Sequence, residues 1–453
     1  MTRDLSGKRV TVVGGARSGV AAARLLRDRG ADVLLTDRAA LKPDAVAALE
    51  QAGARVESGG HSEGALQADF LVISPGVPSD AALVKTAMER AIPVYAELEL
   101  GSWFCRTPIV AITGSNGKTT TSYLTGHVFR TAGWGVVVGG NVGYPLSDYV
   151  RGEQDADVLV LEVSSFQLDH IDEFRPRVSV LLNITPDHMD RYGGRFERYV
   201  ESKFRICENQ RPDDTFVYNF DDPTVRERLE GTGADERPHR LAFSLESEVS
   251  GAFVREGRIV TRINDQEELL MEADELSLRG KHNLRNSLAA AVAARVMEVR
   301  SESVRESLAS FEGVPHRLEF VREIDGVRYV NDSKATNVNA VWYALESFHE
   351  QIVLIAGGRD KGNDYDPLRE LVRAKVRTLI AIGESADKVL RELGPEVERS
   401  VHADSMEDAV RYARIFSKPG DVVLLSPACA SFDMFDGFEH RGDVFRETVM
   451  GLE

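Results

Sequence analysis

Residues 109–120 read IVAITGSNGKTT, an apolar run followed by a glycine-rich turn and the start of a helical pattern. Gly114 and Gly117 allow the backbone to curl around phosphate oxygens. Lys118 adds an ammonium group, and the Thr119 hydroxyl is suited to ligate Mg²⁺. The stretch therefore predicts a nucleotide-phosphate site between a buried strand and a helix.

This turn departs from the strict phosphate-loop pattern at one position. That pattern has a glycine six residues before the lysine, where this chain has Ile112. Short Gly-Lys-Thr sequences occur often by chance, but they rarely lie by chance between a buried strand and a helix. We therefore interpret the turn as a variant phosphate loop.

Strand-like apolar runs alternate with helical stretches along most of the chain, which predicts an α/β fold with mostly parallel sheets. The predicted strands are Arg9 to Val13, Val33 to Leu35, Phe70 to Ile73, Ile109 to Ile112, Val158 to Val163, Val178 to Leu182, Val327 to Val330, Ile352 to Ile355, Thr378 to Ile382 and Val422 to Leu425. Between Thr215 and Arg279 the runs are short and polar, as in a small antiparallel segment. A helix is predicted from about Asn283 to Val299.

The composition is that of a globular enzyme, with 453 residues, 28% charged and 43% hydrophobic. This length favours two or three domains. The net charge of −17 repels polyanions, so we expect neither nucleic acid nor an acidic membrane surface as a partner. No apolar stretch near the N-terminus predicts a signal peptide or a membrane helix, and three scattered cysteines favour a reducing compartment. We therefore expect a cytoplasmic protein without membrane insertion.

A second glycine-rich turn, Gly14-Gly15-Ala16-Arg17-Ser18-Gly19, follows the first predicted strand. Its N–H groups are placed to meet a diphosphate, and Asp37 ends the next strand, where it can contact a ribose or base. The dinucleotide fingerprint has a glycine in place of Ala16. From these residues alone, a nucleotide site and a tight turn that only packs a helix on a strand remain equally open.

Two further strand ends carry polar groups. Glu162 ends the strand that begins at Val158, the place where a Mg²⁺ ligand is expected beside a phosphate loop. His188 follows another strand and can ligate a second cation or orient a carboxylate. Lysine is rare in this chain, since only 11 of the 55 basic residues are lysines. Lys118 and Lys203 are among the lysines that lie in or beside motifs, which makes them candidates for a functional role.

Taken together, these motifs resemble those of the Mur ligase family over the whole chain. The shared segments are Asp37-Arg38, Ser74-Pro75-Gly76, Gly114 to Thr119, Gly140 to Gly143, Glu162 to Leu168, Asp187 to Arg191, Lys203, Gly280 to Asn286, His316-Arg317, Asn331 to Asn337, Gly357 to Lys361 and Ser426 to Asp433. The resemblance implies three domains: a Rossmann-like domain for a uridine diphosphate sugar, a central phosphate-loop ATPase, and a Rossmann-like domain that brings an amino acid. The alternation of strand-like and helical stretches is interrupted and starts again around Glu97 to Thr107 and near Gly313. We therefore expect these domains at 1–99, 100–313 and 314–453.

The resemblance also implies an activity, in which ATP activates the carboxylate of UDP-N-acetylmuramoyl-L-alanine and D-glutamate attacks the acyl phosphate. Two Mg²⁺ ions are expected, together with carbamylation of Lys203, which would turn this cation into a metal ligand. Sequence alone leaves open that Lys203 is a surface lysine paired with Glu201 or Glu208. A monomer is expected.

Individual site residues follow from the same resemblance. The expected catalytic residues are Lys118, Glu162, His188, Lys203 and Lys334, and the expected metal ligands are Thr119, Glu162, His188 and Lys203. The ATP-binding residues would be Gly114, Asn116, Gly117, Lys118, Thr119, Thr120, Asn141, Asn283, Asn286, Arg317 and Asp332. The other substrates would be bound by Arg17, Ser18, Asp37, Arg38, Ser74, Gly76, Ser164, Gln167, Thr336, Lys361, Ser431 and Phe438.

Four alternatives remain at this point. A sister ligase for a diamino acid usually carries an Asp-Asn-Pro-Arg-like signature, which is not found in this sequence. Folylpolyglutamate synthetase shares the central and C-terminal motifs but lacks the first domain. The full set of motifs also disfavours an NAD-dependent oxidoreductase built on Gly14 to Gly19 and a non-catalytic nucleotide sensor.

Overall fold

The computed structural model describes residues 3–41, 43–189, 191–230, 238–360 and 362–452. The chain divides into two compact units, residues 1–311 and 312–453, and each is described by itself. The first unit contains two β-sheets and the second contains one.

The first sheet has five parallel strands in the order β3-β2-β1-β4-β5. The strands are β1 (Arg9–Val13), β2 (Asp32–Asp37), β3 (Arg55–Ser58), β4 (Phe70–Ile73) and β5 (Val94–Ala96), and the helices are α1 (Arg17–Asp28), α2 (Pro43–Gln51), α3 (Ala82–Glu89) and α4 (Glu97–Ser102). From β1 the strand order runs to β2 and β3 on one side and to β4 and β5 on the other. At such a switch point between β1 and β4, a crevice opens at the carboxyl ends of the two strands. The loops that begin at Gly14 and Ser74 meet there.

The second sheet has nine strands in the order β14-β13-β12-β11-β10-β9-β6-β8-β7. They are β6 (Ile109–Thr113), β7 (Val136–Gly140), β8 (Val158–Glu162), β9 (Val178–Leu181), β10 (Thr215–Asn219), β11 (His239–Ser244), β12 (Gly251–Arg255), β13 (Arg258–Ile263) and β14 (Gln266–Glu272). The accompanying helices are α5 (Lys118–Thr131), α6 (Leu146–Tyr149), α7 (Ser165–Leu168), α8 (Phe196–Phe204), α9 (Pro223–Glu230), α10 (Lys281–Val296) and α11 (Ser301–Ser310). The central strand β6 is buried throughout and pairs in parallel with both β8 and β9.

The prediction of an antiparallel segment from Thr215 to Arg279 is only partly right. β10 and β11 extend the parallel sheet, and only the pairs β12 with β13 and β13 with β14 are antiparallel. Phe216, Val217 and Phe243 are buried, so these strands lie inside the sheet and belong to its core. The predicted helix from Asn283 is found as α10, which packs against α5 through a buried, alanine-rich face.

The sheet of the second unit has the order β15-β16-β20-β17-β18-β19 and is parallel except at its edge strand β15. The strands are β15 (Glu319–Ile324), β16 (Val327–Asn331), β17 (Ile352–Gly357), β18 (Val376–Ile382), β19 (Arg399–Ala403) and β20 (Val422–Leu425). The helices are α12 (Val338–Glu346), α13 (Arg369–Lys375), α14 (Ala386–Leu393), α15 (Met406–Phe416) and α16 (Phe438–Met450). Alternate residues of β17 enter opposite cores, Leu354 with α12 to α14 and Val353 with α15 and α16, so helices cover both faces.

The α/β class with mostly parallel sheets is confirmed. The domain limits 1–99, 100–313 and 314–453 stay a prediction. No helix in the described part of the chain has the length and apolar character needed to cross a membrane. Cys105, Cys207 and Cys429 are free thiols.

Candidate active site

The loop between β6 and α5 is shaped by two glycines with positive φ. Gly117 has φ +82°, and a Cβ there would lie 2.5 Å from Asn286 Oδ1. A Cβ on Gly114, at φ +157°, would lie 2.9 Å from the Leu182 Cβ. Both positions therefore require glycine, because a side chain would meet α10 or the loop after β9. The first-turn N–H groups of α5 face the N-terminal end of the helix, a geometry suited to phosphate.

Two lysines converge on this loop. Lys118 Nζ donates to Gly114 O at 2.8 Å and to Ser115 O at 2.9 Å, and Lys203 Nζ donates to Gly114 O at 2.8 Å. Lys203, near the end of α8, is only 1% exposed, so it is not the surface lysine that sequence alone allowed. Burial, reinforced by the nearby Lys118 cation, lowers the pKa of Lys203 well below its usual range.

Glu162 connects the phosphate loop to the loop after β7. Its buried carboxylate accepts hydrogen bonds from Thr119 Oγ1 at 2.7 Å and from Asn141 Nδ2 at 2.9 Å. A hydroxyl and a carboxylate side by side at the mouth of a phosphate loop fit the oxygen ligands that Mg²⁺ prefers. Among the described residues, no group of three or more His, Cys, Asp or Glu side chains forms a metal cage. One hydroxyl and one carboxylate fit an ion held jointly with nucleotide phosphates, as is usual for Mg²⁺.

Two residues to which the sequence analysis gave no role, Asn183 and Tyr199, hold the loop in place. The Asn183 side chain accepts from Asn116 N at 2.8 Å and donates to Asn116 O at 3.1 Å. Ser115 Oγ contacts Tyr199 Oη at 3.0 Å, and the Lys203 Nζ lies 4.6 Å from the centroid of the Tyr199 ring. The only sequence signal for Tyr199 is its position four residues before Lys203, on the same face of a helix.

The other site residues predicted for the central sheet differ in burial and in hydrogen-bond partners. Ser164 and Gln167 form a capping box at the start of α7, and Gln167 Nε2 is buried without a hydrogen-bond partner among the described residues. The side chain of His188 is 51% exposed and its Nε2 lies 3.6 Å from Asp187 Oδ2. Asn283 Nδ2 donates to Arg279 O at 2.9 Å, within one turn of Asn286. Thr120 is buried in α5.

The first sheet brings most of its predicted residues to one crevice. Asp37 Oδ2 accepts from Gly15 N at 2.6 Å, and Ser74 Oγ donates to Gly14 O at 3.0 Å. Arg17 begins α1 and its Nη1 donates to Gly143 O at 2.7 Å, in the loop that also carries Asn141. Arg38 and Gly76 are exposed at the rim, and Ser18 is half-buried in the first turn of α1.

In the second unit, the predicted residues follow the carboxyl ends of β16 and β20. Asp332 accepts from Ser426 Oγ at 2.8 Å and from Leu318 N at 3.3 Å. Burial raises the pKa of Asp332 to about 7, opposed by these hydrogen bonds and by the Arg317 cation. The Lys334 Nζ lies 5.5 Å from the centroid of the Phe438 ring. The structure thus groups Asp332 with Arg317 and Lys334 with Phe438.

Two of the predicted amino-acid-binding residues, Thr336 and Ser431, lie at the same edge of that sheet. Thr336 is half-buried after β16, and Ser431 is buried after β20. Lys361 lies outside the described residues. Arg359 N donates to Ala430 O at 2.8 Å, which joins the loop after β17 to the segment that carries Ser431.

Comparisons with known proteins identify the family of this chain. Three family models match successive parts of the chain: the Mur ligase MurD-like N-terminal domain at residues 8–96, the Mur ligase middle domain at 112–294, and the Mur ligase glutamate ligase domain at 316–429. These matches cover most of the chain and show that it belongs to the Mur ligase family, whose members are ATP-dependent amide ligases. The resemblance predicted from the sequence is confirmed.

Full-length relatives share one name. A UDP-N-acetylmuramoylalanine--D-glutamate ligase from Salinibacter ruber is 59% identical over 450 residues, 98% of each chain. A ligase of the same name from Chloroherpeton thalassium is 46% identical over 469 residues, 99% of each chain.

Solved structures resemble the fold at low identity. The UDP-N-acetylmuramate-alanine ligase of Thermotoga maritima has a TM-score of 0.59 at 16% identity, over 98% of this chain and 99% of that one. MurF from Acinetobacter baumannii has a TM-score of 0.61 at 17% identity, over 92% of this chain and 91% of that one. These likenesses support the fold.

Proposed function

We propose that this chain is an ATP-dependent ligase that joins D-glutamate to UDP-N-acetylmuramoyl-L-alanine in the synthesis of peptidoglycan precursors. The observation that carries the proposal is the convergence of Lys118 and Lys203 on Gly114 O, in a phosphate loop whose Thr119 hydroxyl is hydrogen-bonded to Glu162. The name shared by relatives that are 59% and 46% identical over nearly the full length supports the choice of substrates.

The chemistry explains why ATP is needed. A carboxylate resists attack by an amine because its charge is delocalised and oxide is a poor leaving group. In the proposed reaction, an oxygen of the alanyl carboxylate attacks the γ-phosphorus of ATP, and ADP leaves. The amine of glutamate then attacks the carbonyl carbon of the acyl phosphate, phosphate leaves with the bond electrons, and the amine loses a proton.

The residues of the central site act mainly by position and charge. Lys118 neutralises charge on the transferring phosphoryl group, and the glycines of the loop allow its N–H groups to approach phosphate oxygens. Asn141 holds Glu162 in place, and Glu162 and Thr119 supply the oxygens for magnesium. Mg²⁺ supplies positive charge that stabilises the phosphates.

We extend the proposal to a second ion, with His188 and a carbamylated Lys203 as its ligands. Support comes from the burial of Lys203, since a cationic ammonium in a nearly dry site is unfavourable and a neutral amine is the form that reacts with CO₂. Asn116, Thr120, Asn283, Asn286, Arg317 and Asp332 are proposed to hold ATP, with Lys334 near the reacting groups.

The other substrates are assigned to the loops that follow strands. The uridine substrate is proposed to bind at the first-sheet crevice, through Arg17, Ser18, Asp37, Arg38, Ser74 and Gly76, and to extend to Ser164 and Gln167. Glutamate is proposed to bind Thr336, Lys361, Ser431 and Phe438, which offer hydroxyls, a cation and an apolar wall. We also propose a cytoplasmic monomer with domains at 1–99, 100–313 and 314–453.

One experiment tests the reaction and its specificity together. Release of ADP and phosphate is measured with ATP, magnesium and UDP-N-acetylmuramoyl-L-alanine against D- and L-glutamate, diaminopimelate and L-lysine, and the product is checked by mass spectrometry. We expect phosphate release and a new amide only with D-glutamate. Amide formation with a diamino acid instead would contradict the substrate assignment, and no ADP with any acceptor would contradict the reaction.

A further inference from the structure

Arg441, in the first turn of α16, is the largest fully buried side chain among the described residues. No carboxylate of the described residues forms an ion pair with it. The acidic groups that face it at longer range are Asp332 and Asp433. A buried guanidinium without an ion pair is costly, so its position calls for a physical reason.

The guanidinium instead joins two loops through neutral acceptors. Nη2 donates to Ser333 O at 2.8 Å and Nε donates to Ser333 Oγ at 2.9 Å. Nη1 donates to Cys429 O at 3.1 Å. The Ser333 hydroxyl donates in turn to Phe438 O at 2.8 Å, which closes the network at the start of the same helix. Only a planar fork of donors makes these three bonds from one side chain.

Each segment that Arg441 holds carries a residue assigned above to the amino acid or to the reacting groups. Ser333 precedes Lys334, Cys429 lies two residues before Ser431, and Phe438 begins α16. Burial lowers the pKa of Arg441 to about 10, so the group stays cationic near neutral pH.

We propose that Arg441 is a positioning residue for the amino acid: it fixes the spacing between the Ser333–Lys334 and Cys429–Ser431 segments, and its unpaired charge adds positive potential for a dicarboxylate. This inference rests on the proposed function, because it takes glutamate as the amino acid.

The test is steady-state kinetics of the full-length Arg441→Met and Arg441→Lys variants. Methionine fills much of the volume without the donors or the charge. We expect the KM for D-glutamate to rise at least about tenfold in Arg441→Met, while the KM for the uridine substrate stays within about twofold. Arg441→Lys keeps the charge but not the fork, so its KM for D-glutamate should be intermediate.

Arg446→Met is the matched control, since Arg446 lies on the same helix, pairs with Asp443 and has a 41% exposed side chain. It should leave the KM for D-glutamate unchanged. A folded Arg441→Met with a KM for D-glutamate within twofold of wild type, or an equal rise in Arg446→Met, would overturn the proposal.

A third variant keeps the test decisive if Arg441→Met does not fold. Ser333→Ala removes the bridging hydroxyl, and we expect a smaller rise in the KM for D-glutamate. If Ser333→Ala and Arg441→Lys both leave that KM within twofold, the positioning role is wrong. A wild-type protein that makes no amide would instead contradict the proposed function, so the two failures are distinguishable.

Discussion

Lys118 and Lys203 donate to the same carbonyl oxygen, that of Gly114, each at 2.8 Å. Two lysine Nζ groups on one acceptor form a compact donor site at the N-terminal end of α5, where an anionic phosphate is favoured. Loss of either lysine should therefore impair the nucleotide chemistry more than the fold.

Lys118→Ala should lower the rate of ADP formation at least about a hundredfold, because one preorganised charge on the transferring phosphoryl group is lost. Binding of the uridine substrate should remain nearly intact, since most of its predicted residues lie at the crevice of the first sheet. ADP release and isothermal titration with the uridine substrate measure the two effects. Comparable ADP release in the variant would refute the assignment of the phosphate loop.

Carbamylation of Lys203 is testable without any activity assay. Protein equilibrated with ¹³C-labelled bicarbonate should show a carbamate carbon signal in its NMR spectrum, because burial lowers the pKa of Lys203 and so favours the neutral amine that reacts with CO₂. Lys203→Met should lose this signal, and Lys85→Met should keep it, since Lys85 is exposed on α3. The same signal in both variants would place the carbamate elsewhere.

Gly117 and Gly133 give a matched pair around α5. Both have positive φ, +82° and +86°, but a Cβ would strike Asn286 Oδ1 at 2.5 Å only at Gly117, and no atom lies within 4 Å at Gly133. Gly133→Ala should cost about 1 kcal/mol of unfolding free energy and keep the activity. Gly117→Ala should also weaken ATP binding, measured as a raised KM for ATP. Equal KM values for ATP in the two variants would show that the close approach of Gly117 to Asn286 on α10 does not affect ATP binding.

Glu97 makes stability depend on pH. It is 1% exposed, Oε1 accepts from Ser147 N at 2.6 Å, and Oε2 has no hydrogen-bond partner among the described residues. Burial raises the pKa of Glu97 from 4.5 to about 7. Between these values the folded state holds a proton that the unfolded state has lost, so the contribution of this group to stability falls as the pH rises.

Glu97→Gln should therefore match the wild type in stability near pH 4.5 and exceed it near pH 8, by up to about 3 kcal/mol. Urea unfolding at the two pH values measures the difference. Glu89→Gln, at an exposed position of α3, should leave the unfolding free energy unchanged at both. A Glu97→Gln variant that is less stable than wild type near pH 8 would contradict the prediction.

The central strands could be predicted because they are buried on both faces. β6 and β8 are apolar runs whose last residues, Thr113 and Glu162, are polar. Each stretch of sequence therefore predicts both a buried strand and the start of the site that follows it. The side chains of the edge strands β3 and β19 are mostly exposed or half-buried, and their sequences carry no apolar run. They were not predicted for that reason.

The supporting residues of the site could not be predicted either. Asn183 holds a loop 67 residues away, and Arg441 holds Ser333 from a distance of 108 residues. A single polar residue in a helix or loop does not indicate which distant residue it will contact. Motif residues can be recognised because they lie close together in the sequence at a characteristic spacing.

Most of the described residues assigned to the substrates lie at or beyond the carboxyl ends of strands, and the interiors of the buried sheets carry none of them. A lineage that retains these sheets can exchange one acceptor for another by altering a few turns, and the machinery for activating an acid is inherited intact. Diversification of such enzymes is then a matter of loop replacement on a retained scaffold.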